Sequence, residues 1–210
     1  MNPTQKTLTI VLWALTVVAM LSFVASGMLR PRQDHSDRVL ENDARDQRRE
    51  VPSFSLIDQE GRAFTNDDVA GRPWIADFIF TRCAEQCPAM TVHMVDLQKN
   101  LADADVRLVS VSVDPTYDTP SILKEYGKVR GADFSKWSFV TGDRRSVFDL
   151  ATHGLLLPTR TADDPSAIIH SEKFVLIDGQ GVIRQWYNSK DPEQLVKLEH
   201  DARTLAAARH

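Results

Sequence analysis

The pattern of apolar and polar positions predicts short strands alternating with amphipathic helices from about residue 51 onward. Strand patterns, rich in apolar and β-branched residues, occupy positions 53–57, 63–65, 74–80, 106–113, 137–141, 173–178 and 182–187. Helical periodicity occupies positions 87–101, 118–129, 143–151 and 191–205. Residues 74–80 are largely apolar, which predicts a strand buried on both faces. Together these elements predict an α/β fold in which helices cover both faces of a mixed central sheet.

Turns and helix ends carry local signals of their own. Residues 118–120 (Asp-Thr-Pro) combine a capping side chain with proline at the first helical position, and the helix that follows is predicted to stop before Gly131. Asp143 is predicted to cap the next helix. Residues 58–61 (Asp-Gln-Glu-Gly) and 178–181 (Asp-Gly-Gln-Gly) each join two strand patterns, which indicates two β-hairpins.

The first part of the chain has a different pattern. Residues 8–29 are uncharged and rich in Leu, Val, Ala and Met. As a helix this run reaches about 33 Å, enough to cross a bilayer core of about 30 Å. We predict an uncleaved transmembrane anchor there, after a short tail at residues 1–7, with a cleavable signal peptide as the alternative. Residues 30–50 mix charges of both signs, which predicts a solvated linker before a domain over residues 51–208.

Charge and cysteine content narrow the function. A net charge of −4 and a pI near 5.9, without a long basic stripe, give no support to nucleic-acid binding. The two cysteines, Cys83 and Cys87, are too few and too close together for a disulfide scaffold. They follow an apolar strand and stand four residues apart where a helical pattern begins, so both sulfurs can face the same way. Such a pair can close a disulfide or bind one thiophilic metal ion as thiolates.

The spacing of the cysteine pair favours a metal ion and raises the question of a third donor. Thioredoxin-type enzymes separate their cysteines by two residues, whereas three residues separate Cys83 and Cys87, which leaves room for Cu(I) or Zn(II). Among the six histidines, His170 lies at the end of a loop, just before the strand predicted over residues 173–178. In a thioredoxin-like topology this junction faces the cysteine turn. His170 is therefore either a metal ligand or a histidine bonded to a neighbouring loop carbonyl. His153 lies at a helix end, where interaction with the last carbonyl groups is expected.

Two carboxyl groups in or after strand patterns have open roles. Asp77 interrupts an apolar strand just before the cysteines, where it either tunes thiol protonation or is bonded to backbone or water. Asp114 ends a strand at the predicted site edge, where it either shapes the site or caps a turn. Core packing, rather than a role in the site, is predicted for four large side chains: Met90, Met94, Trp74 and Trp137.

The chain closely resembles the Sco/SenC family in four runs: WIADFIFTRCAEQCPAMTVHMVDLQ, VRLVSVSVDPTYDTPSILKEY, WSFVTGD and HSEKFVLIDGQGVI. Members are membrane-anchored, thioredoxin-fold proteins that assist assembly of the dinuclear copper centre of cytochrome c oxidase. Their pattern is FTxCxxxCP, followed much later by a histidine next to serine or threonine. The resemblance implies that Cys83, Cys87 and His170 are copper ligands. Two departures are Ala84, where many members have proline, and His153, where phenylalanine is frequent. His153 is therefore kept as an accessory donor.

The resemblance further implies a copper metallochaperone that binds Cu(I), and Cu(II) as well through the imidazole. Its expected partner is the copper-binding subunit of cytochrome c oxidase, with other periplasmic copper carriers or thiol reductants as further partners. The expected location is the bacterial cytoplasmic membrane, with a single span and the domain on the periplasmic side. Basic residues flank both ends of residues 8–29, so the positive-inside rule does not itself favour that orientation.

An enzyme remains the alternative at this point. In a thiol–disulfide oxidoreductase that reduces the cysteines of the oxidase copper site, Cys83 would be the nucleophile and Cys87 the resolving thiol. The two would form a disulfide when oxidised. His170 is not required for that reaction. A peroxidase of the same fold is disfavoured, because the usual sequence context of a peroxidatic cysteine is absent around Cys83.

Overall fold

The computed structural model describes residues 13, 50–82, 86–157 and 171–208, with the backbone alone for residues 86–88. The chain divides into two units, Met1–Val39 and Leu40–His210, and all described residues except Trp13 belong to the second. The predicted tail, anchor and linker lie outside the described residues, except for Trp13 in the anchor and residue 50 at the end of the linker. No helix among the described residues is long and apolar enough to span a membrane.

In the described part of the chain, strands and helices follow the predicted order. The strands are β1 (Ser55–Asp58), β2 (Ala63–Thr65), β3 (Trp74–Ile79), β4 (Arg107–Ser112), β5 (Trp137–Thr141), β6 (Lys173–Ile177) and β7 (Ile183–Asn188). The α-helices are α1 (Asn66–Val69), α2 (Gln86–Asn100), α3 (Pro120–Arg130), α4 (Arg144–Asp149) and α5 (Pro192–Ala207). A π-helical turn, Leu150–Gly154, continues α4. The short α1 and the π-helical turn are the elements that periodicity does not predict.

All of these strands join one mixed sheet in the order β2-β1-β5-β4-β3-β6-β7. The central strands β3, β4 and β5 run parallel, whereas the flanking pairs β1–β2, β1–β5, β3–β6 and β6–β7 are antiparallel. The chain joins the sheet at Glu50, which bridges to Val182 in the turn before β7. The mixed sheet predicted from the alternation of strands and helices is therefore present.

Two apolar clusters hold the helices against the sheet. Trp74, Ala76 and Phe78 of β3 belong to one cluster, whereas Ile75 and Ile79 belong to the other. Because successive side chains of a strand point to opposite faces, the clusters lie on opposite faces of the sheet. α4 and the π-helical turn contribute to the first cluster, and α2, α3 and α5 contribute to the second. Every residue of β3 is buried, as its apolar run predicts.

The large side chains assigned to the core from their spacing lie there. Met90 and Met94 of α2 are 3% and 0% exposed, and Trp74 and Trp137 are 2% and 0% exposed. Packing of the helices against the sheet removes these side chains from water. The prediction that they serve packing is confirmed.

Both predicted hairpin turns form, and they use the same device. The Oδ1 atoms of Asp58 and Asp178 each accept hydrogen bonds from the backbone N–H groups two and four residues further along, at 2.8–2.9 Å. The Oδ2 atom of each aspartate binds an arginine in or just beyond the turn, Arg62 or Arg184. An aspartate that satisfies the turn's own backbone donors explains why both segments begin with this residue.

The start of α3 differs from the simplest interpretation of its Asp-Thr-Pro signal. Thr119, rather than Asp118, is the N-cap, and its side chain accepts from the N–H of Ile122 at 3.5 Å. Pro120 is the first helical residue, and the helix ends at Gly131 in the left-handed conformation that glycine tolerates best. Asp118 is thereby released for the long-range contact described below.

Candidate metal centre at the carboxyl edge of the central strands

The predicted ligands flank elements that the structure describes. Cys83 lies between β3 and α2 and is outside the described residues, whereas Cys87 is the second residue of α2, described by its backbone alone. His170 is also outside the described residues. It directly precedes Ser171, which is the first described residue of the segment that leads to β6 at Lys173. The side chains of the three predicted ligands lie outside the described residues, and the segments that adjoin them define the site edge.

Strand pairing brings two of these segments to one edge of the sheet. β3 and β6 are antiparallel, with Trp74 opposite Ile177 and Ala76 opposite Val175. The end of β3 and the start of β6 therefore lie at the same edge. β4 is parallel to β3, with Ile79 opposite Ser112, so its carboxyl end lies at this edge as well. The segment that leads from β3 to Cys83 and the segment that leads from His170 to β6 therefore adjoin the same edge of the sheet. The β4–α3 loop begins at this edge as well.

Asp118, in the β4–α3 loop, anchors the segment that precedes Cys83. Its carboxyl group is fully buried and accepts three hydrogen bonds. The backbone N–H of Thr81 donates to Oδ2 at 3.0 Å, and the Thr81 hydroxyl donates to Oδ1 at 2.5 Å. The Ser112 hydroxyl donates to Oδ2 at 2.6 Å. The free-energy cost of burying this carboxyl group is offset because both of its oxygens accept hydrogen bonds.

The residue next to Cys83 is held by the same loop. Arg82 donates to Oδ2 of Asp114 through Nε at 3.2 Å and through Nη2 at 2.5 Å. The carbon at the centre of its guanidinium group lies 4.2 Å from the centroid of the Tyr117 ring, a cation–π distance. The hydrogen bond to Asp114 raises the pKa of Arg82 further above its usual value. Asp114 thus contacts the residue that precedes Cys83, and its carbonyl also accepts two backbone N–H groups of the turn that follows; its role in the site stays a prediction.

Asp77 lies in β3 itself, within the sheet. It is completely buried, and its Oδ1 accepts from the Ser110 hydroxyl at 2.6 Å, while Ser110 accepts from Nε1 of Trp137 at 2.9 Å. Its Oδ2 has no hydrogen-bond partner among the described residues. Burial raises the pKa of Asp77 to about 7, although the hydrogen bond from Ser110 opposes the rise. The observed side-chain partner is Ser110, a contact that the sequence did not predict, and the role of Asp77 in tuning thiol protonation stays a prediction.

His153 lies in the π-helical turn and is largely exposed. Its Nδ1 is 3.5 Å from Oδ1 of Asp149, one helical turn earlier, and it lines a surface groove of about 520 Å³ with residues 52–55 and α4. The described contact of its ring is thus with a carboxylate. Its role as an accessory metal donor stays a prediction. Among the described residues, no group of three His, Cys, Asp or Glu side chains is arranged to bind a metal ion.

Sequence interpretation did not single out Thr81 and Arg82, nor the true partner of Asp118. The Thr81 signal was available, because this residue is the threonine of the FTxCxxxCP pattern. The Arg82 and Tyr117 contact had no comparable signal, since it joins two exposed residues of different loops. The order of the strands, rather than local spacing in the sequence, brings Arg82 close to Tyr117.

Comparison with known proteins identifies the family of this chain. The model of the SCO1/SenC family matches residues 42–202, more than half of the chain. The chain belongs to the SCO1/SenC family. A curated family relative is the SCO1 protein homolog of Bacillus subtilis (strain 168), which is 36% identical over 142 residues. That alignment covers 66% of this chain and 74% of the relative.

Solved SCO1/SenC structures confirm the thioredoxin-like α/β fold. The SCO1/SenC family lipoprotein from Bacillus anthracis str. Ames superimposes with a TM-score of 0.68 at 30% identity, covering 76% of this chain and 96% of that chain. BsSco, a member of the Sco family of cytochrome c oxidase assembly proteins in which a disulfide switch was identified, gives 0.67 at 31% identity. Its match covers 76% of this chain and 95% of that chain.

A more distant SCO1/SenC structure carries copper. Bradyrhizobium japonicum ScoI with copper bound superimposes with a TM-score of 0.60 at 22% identity, covering 74% of this chain and 98% of that chain. At this identity the likeness concerns the fold alone.

Proposed function

We propose that this chain is a copper metallochaperone in which Cys83, Cys87 and His170 bind one copper ion. The observation that supports it most is the shared sheet edge: the segment leading to Cys83 and the segment following His170 begin beside each other, because β3 and β6 are antiparallel. Membership of the SCO1/SenC family, which includes a protein solved with copper bound, adds support.

The proposed ligand set suits the transfer of copper. Two thiolates and one imidazole are soft and intermediate ligands, which favour Cu(I) in a three-coordinate site and accept Cu(II) through the added nitrogen. A low coordination number at the end of a strand leaves the ion open to an acceptor. The acceptor's own thiolates then replace the donor ligands one at a time, so no free ion is released.

The proposed acceptor is the copper-binding subunit of cytochrome c oxidase, at its dinuclear copper site. BsSco, at 31% identity, belongs to a family of cytochrome c oxidase assembly proteins, which supports this assignment. We further propose that residues 8–29 anchor the chain in the bacterial cytoplasmic membrane and that the domain faces the periplasm. The lipoprotein relative supports membrane attachment. A carboxy-terminal reporter enzyme that is active only outside the cytoplasm tests the orientation.

Copper titration of the reduced full-length chain in detergent tests the ligand set. We expect one Cu(I) per chain in competition with a chromophoric Cu(I) chelator, and a loss of affinity of at least about tenfold in His170→Ala. The exposed His200, on α5, offers a matched control, and His200→Ala is expected to bind like the unmodified chain. A His170→Ala variant that binds as tightly as the control would refute the three-ligand site. His153→Ala tests the accessory donor in the same assay.

A second candidate function is thiol–disulfide exchange, which the disulfide switch of BsSco favours. The Cys83 thiolate would attack a disulfide of the acceptor and form a mixed disulfide, and the Cys87 thiolate would then displace the acceptor's thiol. The acceptor gains two electrons as two thiols, and this chain retains a Cys83–Cys87 disulfide. Reduction of an oxidised peptide bearing the acceptor's cysteine pair, by the copper-free chain, measures this activity. Efficient reduction by a chain that binds no copper would favour the enzyme over the metallochaperone.

A further inference from the structure

We propose that the β4–α3 loop, residues 113–119, positions Cys83 by holding the two residues that precede it, and that Asp118 is the central positioning residue. This inference rests on the proposed function in so far as Cys83 is a copper ligand. The loop itself does not contribute a ligand. It acts through Thr81 and Arg82, which lead directly from β3 to the first cysteine.

The first part of this arrangement is the bond between Asp118 and Thr81. Thr81 gives both its backbone N–H and its hydroxyl to one carboxyl group. Two bonds from one residue to one acceptor fix the backbone direction and the side-chain rotamer together, whereas a single bond would leave one of them free. Asp118 has no exposed surface, so water does not compete for these donors.

The second part holds Arg82 from the same loop. Its guanidinium group donates to the carboxylate of Asp114 and lies over the ring of Tyr117. The carbonyl oxygen of Asp114 accepts from the N–H groups of Tyr117 and Asp118, at 3.0 and 2.8 Å. The groups that hold Arg82 are therefore tied by backbone hydrogen bonds to the group that holds Thr81.

Ser112, at the end of β4, joins both parts to the sheet. Its hydroxyl donates to Asp118 at 2.6 Å and accepts from the N–H of Asp114 at 3.1 Å. The next residue, Val113, donates its N–H to the carbonyl of Ile79, the last residue of β3, at 2.9 Å. The β4–α3 loop thus has a fixed position relative to β3, and it transmits that position to the residues that follow β3.

The consequence is that Thr81 and Arg82, the two residues before Cys83, are held by the loop before any ligand binds. Consecutive Cα atoms are about 3.8 Å apart, so Cys83 begins one peptide unit beyond an anchored residue. A ligand that is already ordered loses less conformational entropy on binding a metal ion than one on a free segment. Outer-shell groups that hydrogen-bond a metal ligand typically contribute about tenfold or more to metal affinity, and we expect an effect of about that lower size from groups that hold the adjoining backbone.

Three substitutions and one control test the positioning role in the full-length chain. Asp118→Asn keeps the shape of the side chain but replaces one acceptor oxygen by a donor, and Thr81→Val removes the hydroxyl while keeping the branched shape. Thr81→Ser restores the hydroxyl. The control is Asp143→Asn, because Asp143 likewise accepts from backbone N–H groups but caps α4.

Two readouts distinguish positioning from a contribution to stability alone. The first is the alkylation rate of Cys83 in the folded, copper-free chain carrying Cys87→Ser. We expect Asp118→Asn and Thr81→Val to raise it about threefold or more, and Thr81→Ser and Asp143→Asn to leave it within about twofold. The second is Cu(I) affinity with both cysteines present, which we expect to fall about tenfold in the same two variants.

The outcomes separate this inference from the proposed function. If the unmodified chain binds no copper, the metallochaperone proposal fails, and the alkylation rates still decide whether the loop orders Cys83. If the unmodified chain binds copper and Asp118→Asn matches Asp143→Asn in both readouts, the positioning role is refuted while the function stands. Circular dichroism identifies the folded variants. If Asp118→Asn does not fold, the comparison of Thr81→Val with Thr81→Ser decides the question.

Discussion

Asp77 and Asp118 are both completely buried, but the interior of β3 and the β4–α3 loop treat a carboxyl group differently. Asp118 accepts three hydrogen bonds that occupy both oxygens. Asp77 accepts one from Ser110, and its second oxygen has no partner among the described residues. The loop supplies donors to both oxygens of its buried carboxyl group, whereas burial within the strand raises the pKa of Asp77.

The difference follows from where backbone donors are available. β3 pairs with β4 on one side and with β6 on the other, so the N–H groups around Asp77 serve the sheet ladder. Thr81 lies beyond the end of β3, and its N–H is free of the ladder and donates to Asp118. A carboxyl group at the edge of the sheet can therefore organise a loop, while one inside the sheet depends on neighbouring side chains.

The largest expected effect is the loss of Asp118. Asp118→Ala leaves the N–H and hydroxyl of Thr81 and the hydroxyl of Ser112 without their acceptor, which we expect to lower the free energy of unfolding by about 4 kcal/mol. Asp77→Ala leaves only the hydroxyl of Ser110 without its acceptor, so its loss of unfolding free energy at neutral pH should be clearly smaller. Urea unfolding followed by tryptophan fluorescence measures both. Equal losses would mean that the number of donors does not account for the difference between the two regions.

An intermediate effect, opposite in sign, is expected for Asp77→Asn. The pKa of Asp77 is about 7 in the folded chain, above the usual value near 3.8, so the folded state binds more protons than the unfolded state between these values. The stability of the folded chain therefore falls as the pH rises from about 3.8 to about 7. Asparagine cannot ionise, and the variant should be more stable than the unmodified chain at about pH 8 by on the order of 2 kcal/mol.

The control for this prediction is Asp143→Asn. The hydrogen bond from Ser146 lowers the pKa of Asp143, so its stabilising effect is present above the usual value and is lost only as pH falls below it. Urea midpoints at about pH 5 and about pH 8 should then differ from those of the unmodified chain by the same amount. For Asp77→Asn the advantage should shrink toward pH 5. An advantage of equal size at both pH values would contradict the raised pKa of Asp77.

The smallest effect is expected for Arg82→Ala, which removes the ion pair of an exposed arginine with Asp114 and a ring contact from the loop region. Its loss of stability should be smaller than that of either buried carboxyl group, because the Arg82 side chain is 56% exposed and its charge remains close to water. The ionic part should disappear in about 1 M salt, where the screening length is about 3 Å. Arg145→Ala, which removes an exposed ion pair of α4, is the matched control. If Arg82→Ala lowers the free energy of unfolding as much as Asp118→Ala does, Asp118 is not the residue that contributes most to the stability of this loop.

Local sequence was sufficient for the elements that local chemistry determines. The apolar run of β3, the spacing of Met90 and Met94, and the Asp-initiated hairpins each reflect a period or a turn read from adjacent residues, and the structure confirms them. The end of α3 at Gly131 was predictable for the same reason, since a left-handed residue is needed there.

Contacts between distant segments account for what local sequence did not predict. Asp118 precedes a threonine and a proline, so its local context favours a helix cap, yet its partner Thr81 lies 37 residues earlier. The choice between these partners depends on the parallel pairing of β3 with β4, which no local pattern specifies. Similarly, α4 gives way to a π-helical turn where Trp186 of β7 donates to the carbonyl of Leu155 at 2.9 Å. The ligand set Cys83, Cys87 and His170 was reached through family resemblance and stays a prediction.

The separation of 37 residues between Thr81 and Asp118 also has a consequence for the order of folding. During synthesis, the segment leading to Cys83 leaves the ribosome before the residues that will fix it. Its contacts require closure of a long loop, and so they form only after β3, α2 and β4 have come together. We therefore expect the first cysteine to behave as an ordinary thiol in the nascent chain. Copper loading would then follow folding of the domain rather than guide it.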